Sequence, residues 1–508
     1  MIFGLTVSIF VVGWILLGTQ LLSVVRNRPG LPPSLVTLWA VLLGWAFAIE
    51  QRTTDLDSFL FSARIRQDWV DQLFTVPRPF QYRITHWLYS LFGKEEPGYF
   101  YYPMILSLFG LGLTYLVIWL GRKTFFGGLA RRRANLAILL MALSPAGEYM
   151  ADSWNDHAIL KPFYFLGLFL VLRFWQKPWL SVLGVLPLFL INSLFHVMET
   201  YIWLLVLGAY VLGSAGKRAL MAASVTLATA LGLTITAILI APNASGEAAY
   251  FASTYGTLGR LSFGEKLVMI CETSNRIAPN APGFFPGYLF AWVVLGLVAF
   301  QAAVRQKLRR ELPWILAMFG ALMVPVVYEP DNPERHLHYG LLIPILLVRL
   351  GRGISQFSFG IKGLQHGAPR MLGQIAIPLV AIVWLSSGMT LLRTIPDRSD
   401  WFRGAVHLRL WVPKDALVVS QRGDFWHHIV RVAVPRLDNL ITERAPTDRV
   451  TEIPQTWEDL MAHRGIIVTG TATQRGPWAG SVRVRRLSEH PDSWIGWSWP
   501  PGAPAIEN

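Results

Sequence analysis

The sequence predicts a polytopic α-helical membrane protein of about twelve transmembrane helices, followed by a small C-terminal α/β soluble domain. Three observations carry that prediction. Of 508 residues, 53% are hydrophobic and only 15% charged, where a soluble protein carries roughly 25% charged residues. Long apolar runs recur from residue 2 to residue 392. Beyond residue 396 no run approaches the ~20 residues that a bilayer crossing takes. The division therefore falls at 395: a multi-spanning membrane domain over 1–395, with outward-facing loops 50–100 and 241–286, and an extracytoplasmic α/β domain over 396–508.

Taken in order, the apolar runs place spans near 2–25, 32–49, 100–121, 135–150, 158–174, 179–196, 201–214, 219–240, 286–303, 312–328, 338–351 and 371–392. The first run lacks the basic n-region and cleavage site of a secretory signal, so it is expected to stay as a span, with Arg26 and Arg28 as its first positive charges. Pro187, Gly232, Pro325 and Pro344 fall inside spans, where neighbouring helices can re-satisfy the backbone.

The net charge is +14. In a soluble chain that would suggest a nucleic-acid partner; beside membrane helices, basic loops set topology, and no nucleic-acid partner is expected. With the N-terminus outside, the connections expected in the cytoplasm hold Arg26 and Arg28, the run from Arg122 to Arg133, Arg173 and Lys177, Lys217 and Arg218, Arg305 to Arg310, and Arg349 to Arg370. Before residue 396, Glu311 is the one acidic residue on that side. The topology rule says little about acids, so their gathering on the opposite side needs its own cause, and a polar site opening outward supplies one. Both termini are then extracytoplasmic. Cys271 is the single cysteine, which excludes an intrachain disulfide or a Cys-based metal site.

The outward polar residues form groups by loop. The first loop offers Asp55, Asp57, Arg78 and Arg83; the second offers Glu148, Asp152, Asp156, His157 and Lys161. His196 and Glu199 follow at i, i+3 spacing on a helix end, and the fifth loop offers Glu329, Asp331, Glu334, Arg335, His336 and His338. The fourth, Pro242–Gly287, is long and less acidic, a length suited to a cover. Ionisable groups at membrane depth are costly to keep, so they are candidates for function. Solvated helix ends would explain Asp55 and Asp57 equally, and a hydrogen-bonded structural pair would explain His196 and Glu199. Arg335 offers the planar bidentate donors that suit an anionic headgroup.

The loop from 50 to 100 also carries helical stretches with aromatic apolar faces. In the second, Ile84, Trp87, Leu88 and Leu91 fall at i, i+3, i+4 and i+7, the pattern of a helix lying in the membrane interface. In the C-terminal part, residues 416–419 and 465–468 read as short buried strands. Helices are expected at Asp400–Trp411 and Thr456–Ala462 and an irregular Trp/Pro/Gly-rich tail from Trp494 to Pro504, with no phosphate-loop or dinucleotide fingerprint.

Several motifs together resemble the GT-C class of integral membrane glycosyltransferases, which use lipid-phosphate-linked sugars. They are Thr54-Asp55-Leu56-Asp57 after an early span, Arg78-Pro79-Phe80-Gln81-Tyr82-Arg83, and Trp87 to Gly93. The series continues with Leu140–Pro145, the acidic turn Asp152–Asp156, and Glu334-Arg335-His336. The resemblance covers most of residues 30–350. The acidic loop of that class usually follows its first span, whereas here it follows the second, so 2–25 would be an added helix. No Trp-Trp-Asp motif is present, which argues against peptide N-glycosylation.

The resemblance implies inverting glycosyl transfer from a lipid-phosphate-linked sugar to a glycan, lipid or protein hydroxyl on the non-cytoplasmic face; the Arg-over-Lys bias and the absence of organelle signals favour a bacterial inner membrane. It implies Asp55 or Asp57 as general base and Arg83, Arg335 and His336 as cationic partners of the leaving phosphate, with Arg78 beside them. Asp156, with Asp152 and His157, would orient the acceptor or hold a divalent metal ion; no other cofactor is implied. A secondary transporter or flippase of similar span count is the rival from another class, expected to show charges inside its spans. An O-antigen-polymerase-like enzyme is a nearer rival, expected to rely on arginine-rich outer loops.

Overall fold

A computed structural model describes residues 2–25, 30–50, 98–127, 130–152, 156–177, most of 180–191, 261–276, 287–304, 307–327 and 336–354. It also describes five strands between 417 and 498, with Trp87 and Pro330. These fall into two compact units, one helical and one built on a sheet.

The helical unit begins with α1 (Ile2–Val25), 24 residues without a charge, and α2 (Pro33–Glu50). The next elements are α3 (Gly98–Leu120), the short α4 (Arg122–Phe126), α5 (Ala130–Ala142), α6 (Pro145–Asp152) and α7 (Asp156–Arg173). Then come α8 (Phe263–Arg276), α9 (Gly287–Val304), α10 (Leu308–Val327), α11 (Leu337–Gly340) and α12 (Leu342–Ile354). These match the runs expected at 2–25, 32–49, 100–121, 158–174, 286–303, 312–328 and 338–351 to within a few residues. The runs at 201–214, 219–240 and 371–392 lie outside the described residues, as do most of 50–97 and the helices expected at 400–411 and 456–462. Trp87 is helical and exposed. Counted over described side chains alone, no helix is long and apolar enough to cross a membrane; the charge-free backbone of α1 extends past its described side chains.

Helix α5 is the core of the unit. Every residue from Ala134 to Leu143 is buried, and α1, α2, α4, α6 and α12 all pack on it. Helix α12 is its partner, buried from Leu342 to Val348. The outer helices show the reverse. Val11, Val12, Ile15 and Leu22 on α1, Leu35, Leu38, Leu42 and Trp45 on α2, and Leu289, Val293, Leu297 and Phe300 on α9 are exposed. Their three- and four-residue spacing makes each set one continuous apolar stripe.

Helix α1 is tied to its neighbours by polar contacts. Trp39 lies against Gly13, where a Cβ would come within 1.9 Å of the indole, and its Nε1–H donates to the Ile9 carbonyl at 2.8 Å. The buried Gln20 accepts from the Leu31 amide at 3.2 Å and donates to the Arg132 carbonyl at 2.9 Å. Asn135 donates to the Leu31 carbonyl at 2.7 Å.

The arginines at one end of the bundle share a job. Arg122 donates to the Trp119 carbonyl, Arg132 to Ser23, Arg133 to Phe126 and Arg349 to Phe125. Each acceptor lies in the last turn of α1, α3 or α4, where helical carbonyls lack intrahelical partners and the helix dipole favours a cation. Arg349 also pairs with Glu311 and lies 5.2 Å from the Trp314 ring centroid. The acid that stood apart from the others in the sequence is thus the counter-ion of a buried-edge arginine. Helix α4 ends at Gly127, whose φ of 64° is open to glycine at no steric cost.

One expectation is corrected. The run 135–150 is not a single helix: α5 stops at Ala142 and α6 starts anew at Pro145. Proline has no N–H to continue the ladder, but it suits the first position of a new helix. Ser144 completes the break, its Oγ donating to the Met141 carbonyl at 2.7 Å and accepting from the Gly147 amide at 3.1 Å. A Cβ at Gly147 would stand 2.1 Å from the Met141 oxygen, so the turn closes only around glycine.

In the second unit the strands are β1 (Leu417–Ser420), β2 (Leu440–Thr442), β3 (Ile466–Thr471), β4 (Arg483–Arg486) and β5 (Ser493–Ser498). They form one sheet in the order β2-β1-β3-β5-β4. β1 runs parallel to β2 and β3, with Val418 opposite Leu440 and Ile467; β5 runs antiparallel to β3 and β4. The two expected strands are β1 and β3. The expected irregular tail is wrong over 493–498, which form β5 in the sheet interior. Its alternation of Trp494 and Gly496 with Ile495 and Trp497 is masked by glycine and serine. β4 lies at an edge and carries Arg483, Arg485 and Arg486, charges that discourage edge-to-edge pairing.

The break at Ser144 predicts two graded effects. Ser144→Ala loses a cap and should cost about 1 kcal/mol, whereas Gly147→Ala forces the turn open and should cost about 2–3 kcal/mol. Thermal unfolding of the purified variants in one detergent checks the order; equal midpoints would count against it.

Candidate functional site

The helix break starts α6 anew, and α6 packs on α2, α5, α7 and α11. Helix α2 packs along α6, α7 starts just after it, and α11 lies across it. The α11 contact is close: a Cβ on Gly340 would come within 2.5 Å of the Ala146 Cβ. Glu148 and Asp152 therefore ride on α6, and Asp156 and His157 occupy the first turn of α7, where acidic side chains suit the helix dipole. This junction is at the opposite end of α12 from Arg349. The second-loop acids thus share α6 and the first turn of α7, while the fifth-loop acids Glu329, Asp331 and Glu334 lie outside the described residues.

Between α7 and α11 the buried Lys161 bridges to His338, Nζ to Nδ1 at 2.9 Å, with Tyr164 5.8 Å away beneath the ammonium. Two residues before His338, His336 Nδ1 meets the Tyr339 hydroxyl at 2.6 Å. Tyr288 from α9 packs edge-on against both the His336 and Tyr339 rings and donates to the Leu322 carbonyl at 3.1 Å.

Burial pulls His336 down to about 4, opposed by a hydrogen bond with the Pro330 backbone. Burial therefore favours the neutral form of this imidazole. It ties the 330 segment to α11, while the positive charge of the Glu334-Arg335-His336 motif rests on Arg335.

The described part of the fourth loop is a docked helix. Ser262 and Glu265 cap α8 reciprocally, Ser262 N–H to Oε2 at 2.7 Å and Glu265 N–H to the Ser262 Oγ at 3.2 Å. Hydrogen bonds from the Ser262 side chain and backbone hold the Glu265 carboxyl below its ordinary range. Ile270 is buried, and α8 packs on α9 and α10.

Of the residues singled out in sequence, Asp55, Asp57, Arg78, Arg83, His196, Glu199 and Arg335 lie outside the described residues. Asp152, Asp156 and His157 are placed by their helices, with side chains outside the description. Among the described residues no three histidine, cysteine, aspartate or glutamate side chains form a metal-holding cluster. Lys161 and His338 were in the outward groups but were not advanced as site residues. The signal that could have promoted them is their position inside apolar runs, where an ionisable group calls for a reason.

No known protein-family description matches the sequence, and no curated protein matches it. Solved structures do. The crystal structure of ArnT from Cupriavidus metallidurans bound to undecaprenyl phosphate superposes with a TM-score of 0.59 at 13% identity, covering 91% of this chain and 97% of that one. The apo state of the same protein gives 0.56 at 13% identity with the same coverage. The oligosaccharyltransferase of Archaeoglobus fulgidus in complex with Zn and sulfate follows at 0.49 and 12%, covering 85% and 67%, too distant to weigh.

The His336 assignment fixes a pH response. Its folded value of about 4 lies below the ordinary 6.5, so the unfolded chain binds more protons between the two. Its contribution to stability is complete above pH 6.5 and is lost as pH falls toward 4, by about 3 kcal/mol. Chemical denaturation of wild type and His336→Asn at pH 7.5 and pH 4.5 should show a smaller pH dependence in the variant.

Proposed function

With the GT-C-like fold as premise, we propose that the chain is an integral membrane glycosyltransferase. It moves a sugar from a lipid-phosphate-linked donor to a glycan, lipid or protein hydroxyl on the non-cytoplasmic face, with inversion. The observation that carries the reading is the likeness to ArnT, held in its crystal structure with undecaprenyl phosphate, along 91% of this chain. Fold alone does not assign chemistry; the acids carried by α6 and the first turn of α7 support a site there. The membrane setting is supported by α1, about 36 Å long at 1.5 Å per residue against a hydrocarbon core of about 30 Å. The exposed apolar stripes of α1, α2 and α9 would then face lipid, in a bacterial inner membrane with both termini outside.

In this reading Asp55 or Asp57 takes the proton of the acceptor hydroxyl as its oxygen attacks the anomeric carbon. The bond from that carbon to the phosphate oxygen breaks, and the phosphate leaves with the electron pair. Its growing charge is met by Arg78, Arg83 and Arg335. One direct displacement inverts the anomeric configuration. Asp152, Asp156 and His157 orient the acceptor, and their two carboxylates and imidazole suit a divalent cation, which no step above requires. His196 and Glu199 complete the polar rim.

A transporter is favoured by one observation, the buried Lys161–His338 pair inside apolar runs, since such groups line translocation paths. It predicts substrate uptake into proteoliposomes with no glycosylated product. The enzyme reading predicts that purified wild type transfers sugar from a polyprenyl-phosphate donor. Asp55→Asn or Asp57→Asn should then lower the rate at least about a hundredfold, within the range for losing a general base. Full activity in both variants overturns it.

A further inference from the structure

Pro162 lies inside α7. It has no N–H to offer the carbonyl four residues back, that of Ala158, and its ring crowds that oxygen out of the helical ladder. Ala158 is fully buried, so water does not replace the missing donor. What stands against its carbonyl is Gly110 of α3. A Cβ on Gly110 would lie 2.2 Å from the Ala158 oxygen, 2.5 Å from its carbonyl carbon and 2.8 Å from the Ile159 nitrogen. All three are backbone atoms, so no side-chain rotation could make room. In glycine a hydrogen takes the direction of that Cβ, which aims a Cα–H group at the oxygen, a contact that recurs between closely packed helices. Gly110 is itself buried, and its own carbonyl accepts from the Thr114 hydroxyl at 2.9 Å. The pairing repeats just past the end of α3, where a Cβ on Gly121 would lie 3.0 Å from the Phe169 ring of α7. Between these two contacts α3 and α7 run alongside each other in the same direction.

We propose that Gly110 is a positioning residue: the carbonyl that Pro162 frees is seated on its bare backbone, and this seat sets the depth of the first α7 turn, which carries Asp156 and His157. A side chain at 110 must push the α7 backbone away, since 2.2 Å falls about 1 Å short of the ~3.3 Å at which carbon and oxygen meet. A misplacement of about 1 Å, even from a change far from the chemistry, costs on the order of a hundredfold in rate. The effect on transfer rests on the glycosyl-transfer reading, in which Asp156 and His157 orient the acceptor; the seat itself does not.

The test compares alanine variants of the full-length chain in one detergent. Gly110→Ala should lower the thermal unfolding midpoint. Gly112→Ala makes the same change where the nearest atom to a Cβ is Val41 Cγ2 at 3.7 Å, and should not lower it. Equal losses in the two variants overturn the proposal. Pro162→Ala restores the N–H and returns the Ala158 carbonyl to the ladder, so in that background Gly110→Ala should lower the midpoint by less than half as much. Losses that are equal in both backgrounds overturn the seat. Should Gly110→Ala fail to fold, folding regained in the double variant supports the proposal, and a double variant that also fails overturns it. In transfer from an undecaprenyl-phosphate-linked sugar, Gly110→Ala should lose at least tenfold in kcat, with KM for the donor within threefold, and Gly112→Ala should stay within threefold of wild type in both. If the midpoints couple and kcat is unmoved, the positioning role fails. If wild type transfers no sugar, the enzyme reading fails while the midpoints still decide the seat.

Discussion

A buried backbone can leave few carbonyls or amides unpaired, and the break between α5 and α6 meets that constraint with one hydroxyl. Ser144 takes the Met141 carbonyl on one side and the Gly147 amide on the other. Without those two hydrogen bonds, a helix interrupted inside the core would strand polar groups at a cost of about 1–3 kcal/mol each. With them, α6 starts anew inside the unit, packing on α2, α7 and α11 and ending in the acidic turn. The core helix, the restarted helix and the candidate site are thus consequences of a three-residue arrangement of serine, proline and glycine.

The two ends of the helical unit solve the same problem with different residues. At the basic end, arginine guanidinium groups close the last carbonyls of α1, α3 and α4, and the one nearby acid pairs with Arg349. At the other end the interior polar groups satisfy one another through side chains, Lys161 with His338 and His336 with Tyr339. A guanidinium with five donors suits a rim of carbonyls.

Much of this was legible in the sequence because hydrophobic length survives without knowledge of packing. The ends of α1, α3, α7 and α9 were readable to within two residues. The same reading missed the break at Ser144, since hydropathy does not register a hydroxyl that replaces two backbone bonds, although Ser-Pro was there to be seen. It missed β5 because Trp494, Gly496 and Trp497 look like turn composition until β3 and β4 flank them. At the site, the full burial of His336 was not legible, since one residue letter does not carry it. The neighbouring Lys161 and His338 looked like separate helix-end charges, since their 177-residue separation hides a 2.9 Å contact.

Gln20 ties this architecture to the order in which the chain is made. One of its partners, the Leu31 amide, is 11 residues away, and the other, the Arg132 carbonyl, is 112. During synthesis the first bond is available almost as soon as α1 emerges, while the second awaits α5. Over that interval the α1–α2 hairpin, already clasped by Trp39 on Gly13, holds an amide donor with its final acceptor not yet translated. The hairpin is therefore a unit that waits for the rest of the protein, and the arrival of α5 both fills its apolar face and closes its last polar bond.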